Sequence, residues 1–390
     1  MVNGTIRAGE RETGKHFSVI GTLPLMIMYA IGFMSGTYMP VWVGAIAGRY
    51  GAAVGRVGLI ASYELGAVAF ASILAAALLP TGRKRWPMAA GLIMSIAFNL
   101  VAAMAPTITL FTVARIIAGA ANGFLLADVN GRAAACAMPS RVFAGQLFVM
   151  VVFAVIFFSA APHLLALLGA GAPFFYCAGA GFLALLSLFG LNAGDREETA
   201  GATVPAFRMN LAAALLLAAA TLLFVTMNGL WPYLGSAASR AGVSMATLSK
   251  VLAAGAVVNL LAPMLSEGLA TRGISPALVM TAGILATAAC AFLITEPNQP
   301  LPFIAGALLV PFFLIFLVPF FLTYLVRLDP SGKFVAASAA FFMIGSAIGP
   351  GIGSVAIDWL GPSGLAAVGV ATPLLALAAS WTALARSARS

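Results

Sequence analysis

Apolar residues run through this chain in long blocks, without the short-period alternation of helices or strands that bury only one face. Windows long enough to cross a hydrocarbon layer fall at about 17–45, 54–80, 87–105, 107–135, 141–166, 172–193, 209–236, 245–270, 276–295, 301–326, 334–358 and 363–385. The pattern predicts an all-α polytopic membrane protein of twelve helices joined by short polar turns. The longest charged run, Asp195-Arg196-Glu197-Glu198, lies in 194–208 and reads as a solvated linker between 1–193 and 209–390.

Composition agrees with the blocks. The chain is 62% hydrophobic and only 8% charged, against about 25% charged in soluble domains. A net charge of +9 suits nucleic acid in principle, but its placement excludes that reading. Arg7, Arg11, Lys15, Arg83, Lys84, Arg85, Arg132, Arg141, Arg196, Arg208, Arg272, Arg327, Lys333, Arg386 and Arg389 fall on one side, while Arg49, Arg56 and Arg240 fall on the other. This is the positive-inside pattern, with both termini cytoplasmic. It implies a multi-pass protein of a bacterial inner (plasma) membrane, in contact with lipid and not with nucleic acid. The first apolar run is too long for a signal-peptide core. Cys136, Cys177 and Cys290 have neither metal-ligand nor disulfide spacing and read as small core residues. No cofactor is implied.

The polar exceptions inside the blocks carry the candidate chemistry. In Thr107–Asp128, the residues Arg115, Gly119 and Asn122 share one helix face. A guanidinium in hydrocarbon costs several kcal/mol and so turns to protein or water. At 1.5 Å per residue, Glu64 lies about 15 Å and Arg115 about 12 Å from the same face, so the two should pair. The pair reads either as a fixed tie between two helices or as a proton-coupling device. In the second case, parting Glu64 from Arg115 leaves a buried carboxylate that takes up a proton. Asp128 lies about 20 Å further in, on another face. Tyr38 and Trp231, beside Gly36 and Pro232, read as interfacial aromatics or as flexible helix ends closing an outer mouth. Asn122 and Gln146 in the first half, with Asn228, Asn259 and Phe316 in the second, complete the expected substrate cavity. Its ionisable and aromatic walls suit an amphipathic or anionic organic solute.

The chain also repeats itself. Gly66-Ala67-Val68 recurs at Gly255-Ala256-Val257, Ile117-Ala118-Gly119-Ala120 at Ile304-Ala305-Gly306-Ala307, and Pro139-Ser140 at Pro330-Ser331, all at an offset near 189. Two six-helix halves with cytoplasmic ends resemble the major facilitator superfamily across the whole chain. Gly82-Arg83-Lys84-Arg85 is similar to the end of that family's loop motif, with Leu79 and Pro80 where an aspartate and an arginine are expected. Arg115, Gly119 and Gly123, followed by Pro139-Ser140-Arg141, resemble the fourth-helix motif of proton-coupled members. The fifth-helix antiporter motif is missing from the segment Gln146–Leu165, while Gly349-Pro350-Gly351 in the eleventh helix reads as a close-packed, bent helix.

The resemblance implies two pseudo-symmetric six-helix bundles and a monomeric secondary transporter. Such a protein moves a small-molecule substrate, with protons, by alternating access, as an uptake symporter or an efflux antiporter. It also implies a cytoplasmic latch between Arg83, or a neighbour, and Asp128. A nucleotide-driven pump is excluded by the missing G-x-x-x-x-G-K-[ST], and an embedded hydrolase by the missing G-x-S-x-G and H-E-x-x-H. A membrane sensor or scaffold on the same fold is disfavoured by the cost of a buried charge pair.

Overall fold

The structure, a computed structural model, describes residues 19–78, 85–136, 138–190, 210–295, 299–329 and 333–387. The regular elements among them are all helical: α1 (Val19–Thr37), α2 (Met39–Tyr50), α3 (Val54–Leu78), α4 (Trp86–Met104), α5 (Ile108–Ala134), α6 (Pro139–Leu168) and α7 (Ala172–Ser187). They continue as α8 (Leu211–Leu230), α9 (Leu234–Arg240), α10 (Met245–Val258), α11 (Leu261–Thr271), α12 (Pro276–Thr295), α13 (Pro300–Leu328), α14 (Lys333–Leu360) and α15 (Ser363–Ser387).

These helices make twelve spans. Ten apolar runs are each long enough to cross a bilayer, and the run Pro139–Ser187 is long enough to cross twice. It breaks after α6 at Gly169, whose φ of 61° is one that residues with a Cβ rarely adopt. The twelfth span is the pair α1 and α2, bent by 49° at Tyr38, with Pro40 in the first turn of α2, where a proline needs no N–H partner. The seventh span breaks similarly at Trp231–Tyr233, between α8 and α9, and the eighth at Asn259-Leu260, between α10 and α11.

Close packing follows the small residues. A Cβ at Gly119 of α5 would stand 2.5 Å from the Glu64 carbonyl oxygen of α3, so only glycine allows this crossing. Its counterpart in the repeat, Gly306 of α13, makes an equally close approach, but to Cys290 of α12. The repeat thus keeps the small residue and changes the neighbour. In the first half α3 and α4 pack on α5, and α6 packs on α1. In the second, α14 and α15 pack on α8, and α13 packs on α12. This is the all-α architecture of the major facilitator fold, two six-helix bundles side by side. The linker expected at 194–208 lies outside the described residues.

Across the two halves, α3 packs on α14, α6 on α10, and α2 on α9 and the 231–233 turn. The end holding the turns 51–53, 105–107 and 241–244 is here termed outer, following the charge pattern. In the eighth span, outer α10 meets the opposite half, whereas inner α11 packs on α13 of its own half. The seam between the halves is therefore closed at its outer end.

Candidate functional site

Glu64 and Arg115 meet as depth and cost require. Arg115 Nε donates to Glu64 Oε2 at 3.0 Å, and Nη2 donates to Glu64 Oε1, so the guanidinium grips the carboxylate with its planar fork. The same Nη2 donates to Ser35 Oγ at 2.7 Å, and Nη1 donates to Asn99 Oδ1 at 2.9 Å. Asn99 in turn donates to the Ser95 carbonyl, one turn back along α4, at 2.8 Å. The Phe174 ring lies under the guanidinium, 4.8 Å from Cζ to the ring centroid. Arg115 is 0% and Glu64 2% exposed. Every one of these partners, on α1, α3, α4 and α7, belongs to the first half.

Sequence reasoning found the pair and missed its enclosure. Ser95 and Asn99, four residues apart in an otherwise apolar helix, were a legible sign that α4 turns a polar face inward. Ser35 and Phe174 carried no such sign.

A second arrangement lies on the outer seam. The Trp231 indole N–H is shared between the carbonyls of Gly36 and Thr37, both at 3.1 Å, just where the first span bends. Ser62 of α3 donates its hydroxyl to the Ala347 carbonyl of α14 at 2.7 Å and accepts from Gly351 N–H at 2.6 Å. Tyr233 donates to the Pro350 carbonyl at 2.8 Å, and its hydroxyl fills the space a Cβ at Gly58 would need. The alternative of an interfacial belt does not hold for Tyr38 and Trp42. Tyr38 is buried, stacked on Phe157 with centroids 3.8 Å apart, and donates to the Phe153 carbonyl at 3.2 Å. Trp42 is buried too and donates to the Ser35 carbonyl at 3.0 Å.

The remaining expected cavity residues lie on α5, α6, α8 and α13 and at the break between α10 and α11. Asn122 and Gln146 are buried, and Asn122 Oδ1 and Gln146 Nε2 have no hydrogen-bond partner among the described residues. Asn259 Oδ1, at the break between α10 and α11, is in the same condition. Such atoms are few in native folds and mark places where water or a polar solute would be held. Asn228 sits on the α8–α14 seam and donates to Ser346 Oγ at 3.3 Å. Phe316 packs inside the second half, between Phe312 and Phe320, where its own carbonyl accepts from Ser266 of α11. In this state it forms core rather than a cavity wall.

Asp128 is buried and paired with Arg132 one turn on, Nε to Oδ1 at 3.0 Å. The expected latch partner Arg83 lies outside the described residues. An acid four residues before an arginine on a helix is a readable pair, and the sequence reading passed over it.

No family model matches the sequence, and no curated protein matches it. Solved structures do. A nucleoside transporter, NupG, superposes with a TM-score of 0.72 at 13% identity, over 93% of this chain and 99% of its own. A peptide transporter, POT, superposes with a TM-score of 0.72 at 14% identity, over 95% of this chain and 94% of its own. Likeness at this identity shows a shared fold.

Proposed function

We propose that the protein is a secondary active transporter, carrying a small organic solute across a bacterial inner membrane by alternating access and driven by protons. The observation that carries this reading is the outer seam. Beside the packing of α3 on α14 and of α6 on α10, it is crossed by hydrogen bonds from Ser62 and Trp231 and by the contact of Tyr233 with Gly58, and two of the spans that meet there are broken, at Tyr38 and Trp231. Exchangeable hydrogen bonds and glycine contacts between helices of the two halves suit a structure that opens there and closes elsewhere. The transporters that share the fold support the same reading. In this account 1–193 and 209–390 move against each other about the 194–208 linker, and both termini are cytoplasmic. Asn122 Oδ1, Gln146 Nε2 and Asn259 Oδ1 meet the solute's polar groups or its water, and Asp128 steadies the inner end of α5.

Proton coupling is assigned to Glu64. The Arg115 fork holds its carboxylate, and a change in α3 or α5 that opened the fork would leave the carboxylate buried without its counter-charge. One observation favours a second reading. All partners of the pair come from the first half, so rocking of the halves alone does not part them. In that reading the pair only ties α3 to α5.

Glu64→Gln separates the two. The probes are radiolabelled solutes of set chemistry, namely a nucleoside, a dipeptide, an aromatic carboxylate and a hydrophobic cation, tested in proteoliposomes. With Glu64 as proton carrier, Glu64→Gln keeps counterflow exchange of the transported probe and loses accumulation driven by a pH gradient. Accumulation with unchanged pH dependence removes Glu64 from coupling and leaves it as a tie. If none of the four probes is carried by the wild-type protein, the transport reading fails for these classes.

A further inference from the structure

The contact of Ser62 with α14 is unlike the other contacts of the seam. In a regular helix the N–H of Gly351 donates to the carbonyl of Ala347, four residues back. Here the Ser62 hydroxyl engages both of those atoms, donating to Ala347 O at 2.7 Å and accepting from Gly351 N at 2.6 Å, while α14 runs on as one helix. The hydroxyl belongs to the opposite half of the protein. The turn it enters is one that a helix holds weakly. Pro350 has no N–H to give and its ring crowds the carbonyl of Ser346, while Gly351 has no side chain to fill the gap. A Cβ at Gly351 would lie 3.0 Å from Ser62 Oγ, so a larger residue would press on the hydroxyl. Side chains that compete for the bonds of a helical ladder are a recognised source of helix distortion.

We propose that Ser62 is a removable peg in the proline turn of α14. With the peg in, the outer seam is shut and α14 is loosened between Ala347 and Gly351. With the peg out, Gly351 N–H returns to Ala347 O, or to a water, and the turn tightens. The Ser62 hydroxyl then bonds back to a carbonyl of its own helix, as serines in apolar helices do. Outer opening thus exchanges hydrogen bonds instead of abandoning them. Buried polar groups left without partners are costly, so this exchange keeps the open and closed states close in free energy. Tyr233, bonded to the Pro350 carbonyl and seated in the hollow of Gly58, ties the same turn to the broken seventh span. The proposal rests on the alternating-access reading and adds to it a named residue that sets the balance.

Spin labels at Arg56 and Trp359, near the outer ends of α3 and α14, report the seam width by pulsed electron resonance, with Cys136, Cys177 and Cys290 replaced. Ser62→Val and Ser62→Thr have nearly the same shape, and only threonine keeps the hydroxyl. The expected result in lipid nanodiscs is two distance populations. Ser62→Val raises the longer one by about three- to tenfold, the worth of one or two hydrogen bonds, and Ser62→Thr stays near wild type. Pro350→Ala leaves α3 untouched, gives residue 350 an N–H for the Ser346 carbonyl, so tightens the turn and shifts the population the same way; it decides the matter should Ser62→Val not fold. Two populations that none of these changes moves, or that valine and threonine move alike, overturn the peg. A single distance in every variant overturns alternation itself, which is a different failure.

Discussion

Arg115 makes four hydrogen bonds, all inside one half of the molecule, to a carboxylate, an amide and a hydroxyl. Each partner answers a desolvated N–H, so the pair is tolerable only as a set. Removing one member leaves a buried charge with no counter-charge, at a cost of about 3–5 kcal/mol. Arg115→Met should therefore lower thermal stability in detergent strongly. Adding Glu64→Gln to it should restore much of the loss, because the orphaned carboxylate is gone. A double variant as unstable as Arg115→Met alone would mean that packing around Phe174, not charge, dominates the site. How far this was legible follows from the physics. Glu64 and Arg115 announce themselves because charge in an apolar block is expensive wherever it sits. Ser35 contributes one hydroxyl, and a lone serine is unremarkable in any helix. Its role depends on where α1 lies against α5, and that is set by the tertiary packing.

At the scale of helices, glycines decide which surfaces touch. Gly119 and Gly179 are both helical, and pattern alone does not distinguish them. A Cβ on Gly119 meets the Glu64 backbone at 2.5 Å, whereas Gly179 has open space around its Cβ direction. Gly119→Ala should push α3 from α5, loosen the ion pair and lower the unfolding temperature. Gly179→Ala should be neutral or stabilising by about 0.5–1 kcal/mol, since alanine loses less backbone freedom on folding. Thermal unfolding of the two proteins side by side checks the pair, and equal effects would contradict the packing described. The helices themselves were readable because each must satisfy its own backbone in lipid, which leaves a long apolar block as its trace. The breaks at Trp231–Tyr233 and Gly169 were partly readable from proline and glycine. The break at Asn259-Leu260 was readable in the same way and was passed over, since Pro263 has no N–H to give and its ring crowds the carbonyl four residues back, that of Asn259.

For the whole molecule, the repeat and the apolar blocks led to the architecture, but not to its state. Which end is closed depends on contacts such as Trp231 with Gly36 and Ser62 with Gly351, between residues 195 and 289 positions apart. Pairings so distant leave no local pattern. The central claim, that the halves part at this seam and that transport needs them to, is tested by locking it. A Cβ at Gly351 would stand 3.7 Å from Ser62 Cβ, within the range a disulfide spans. In a Ser62→Cys, Gly351→Cys protein, with Cys136, Cys177 and Cys290 replaced, mild oxidation should form the crosslink. Proteoliposome exchange of the transported probe should then stop and return on reduction. Exchange that continues undiminished through a fully crosslinked seam would contradict the account.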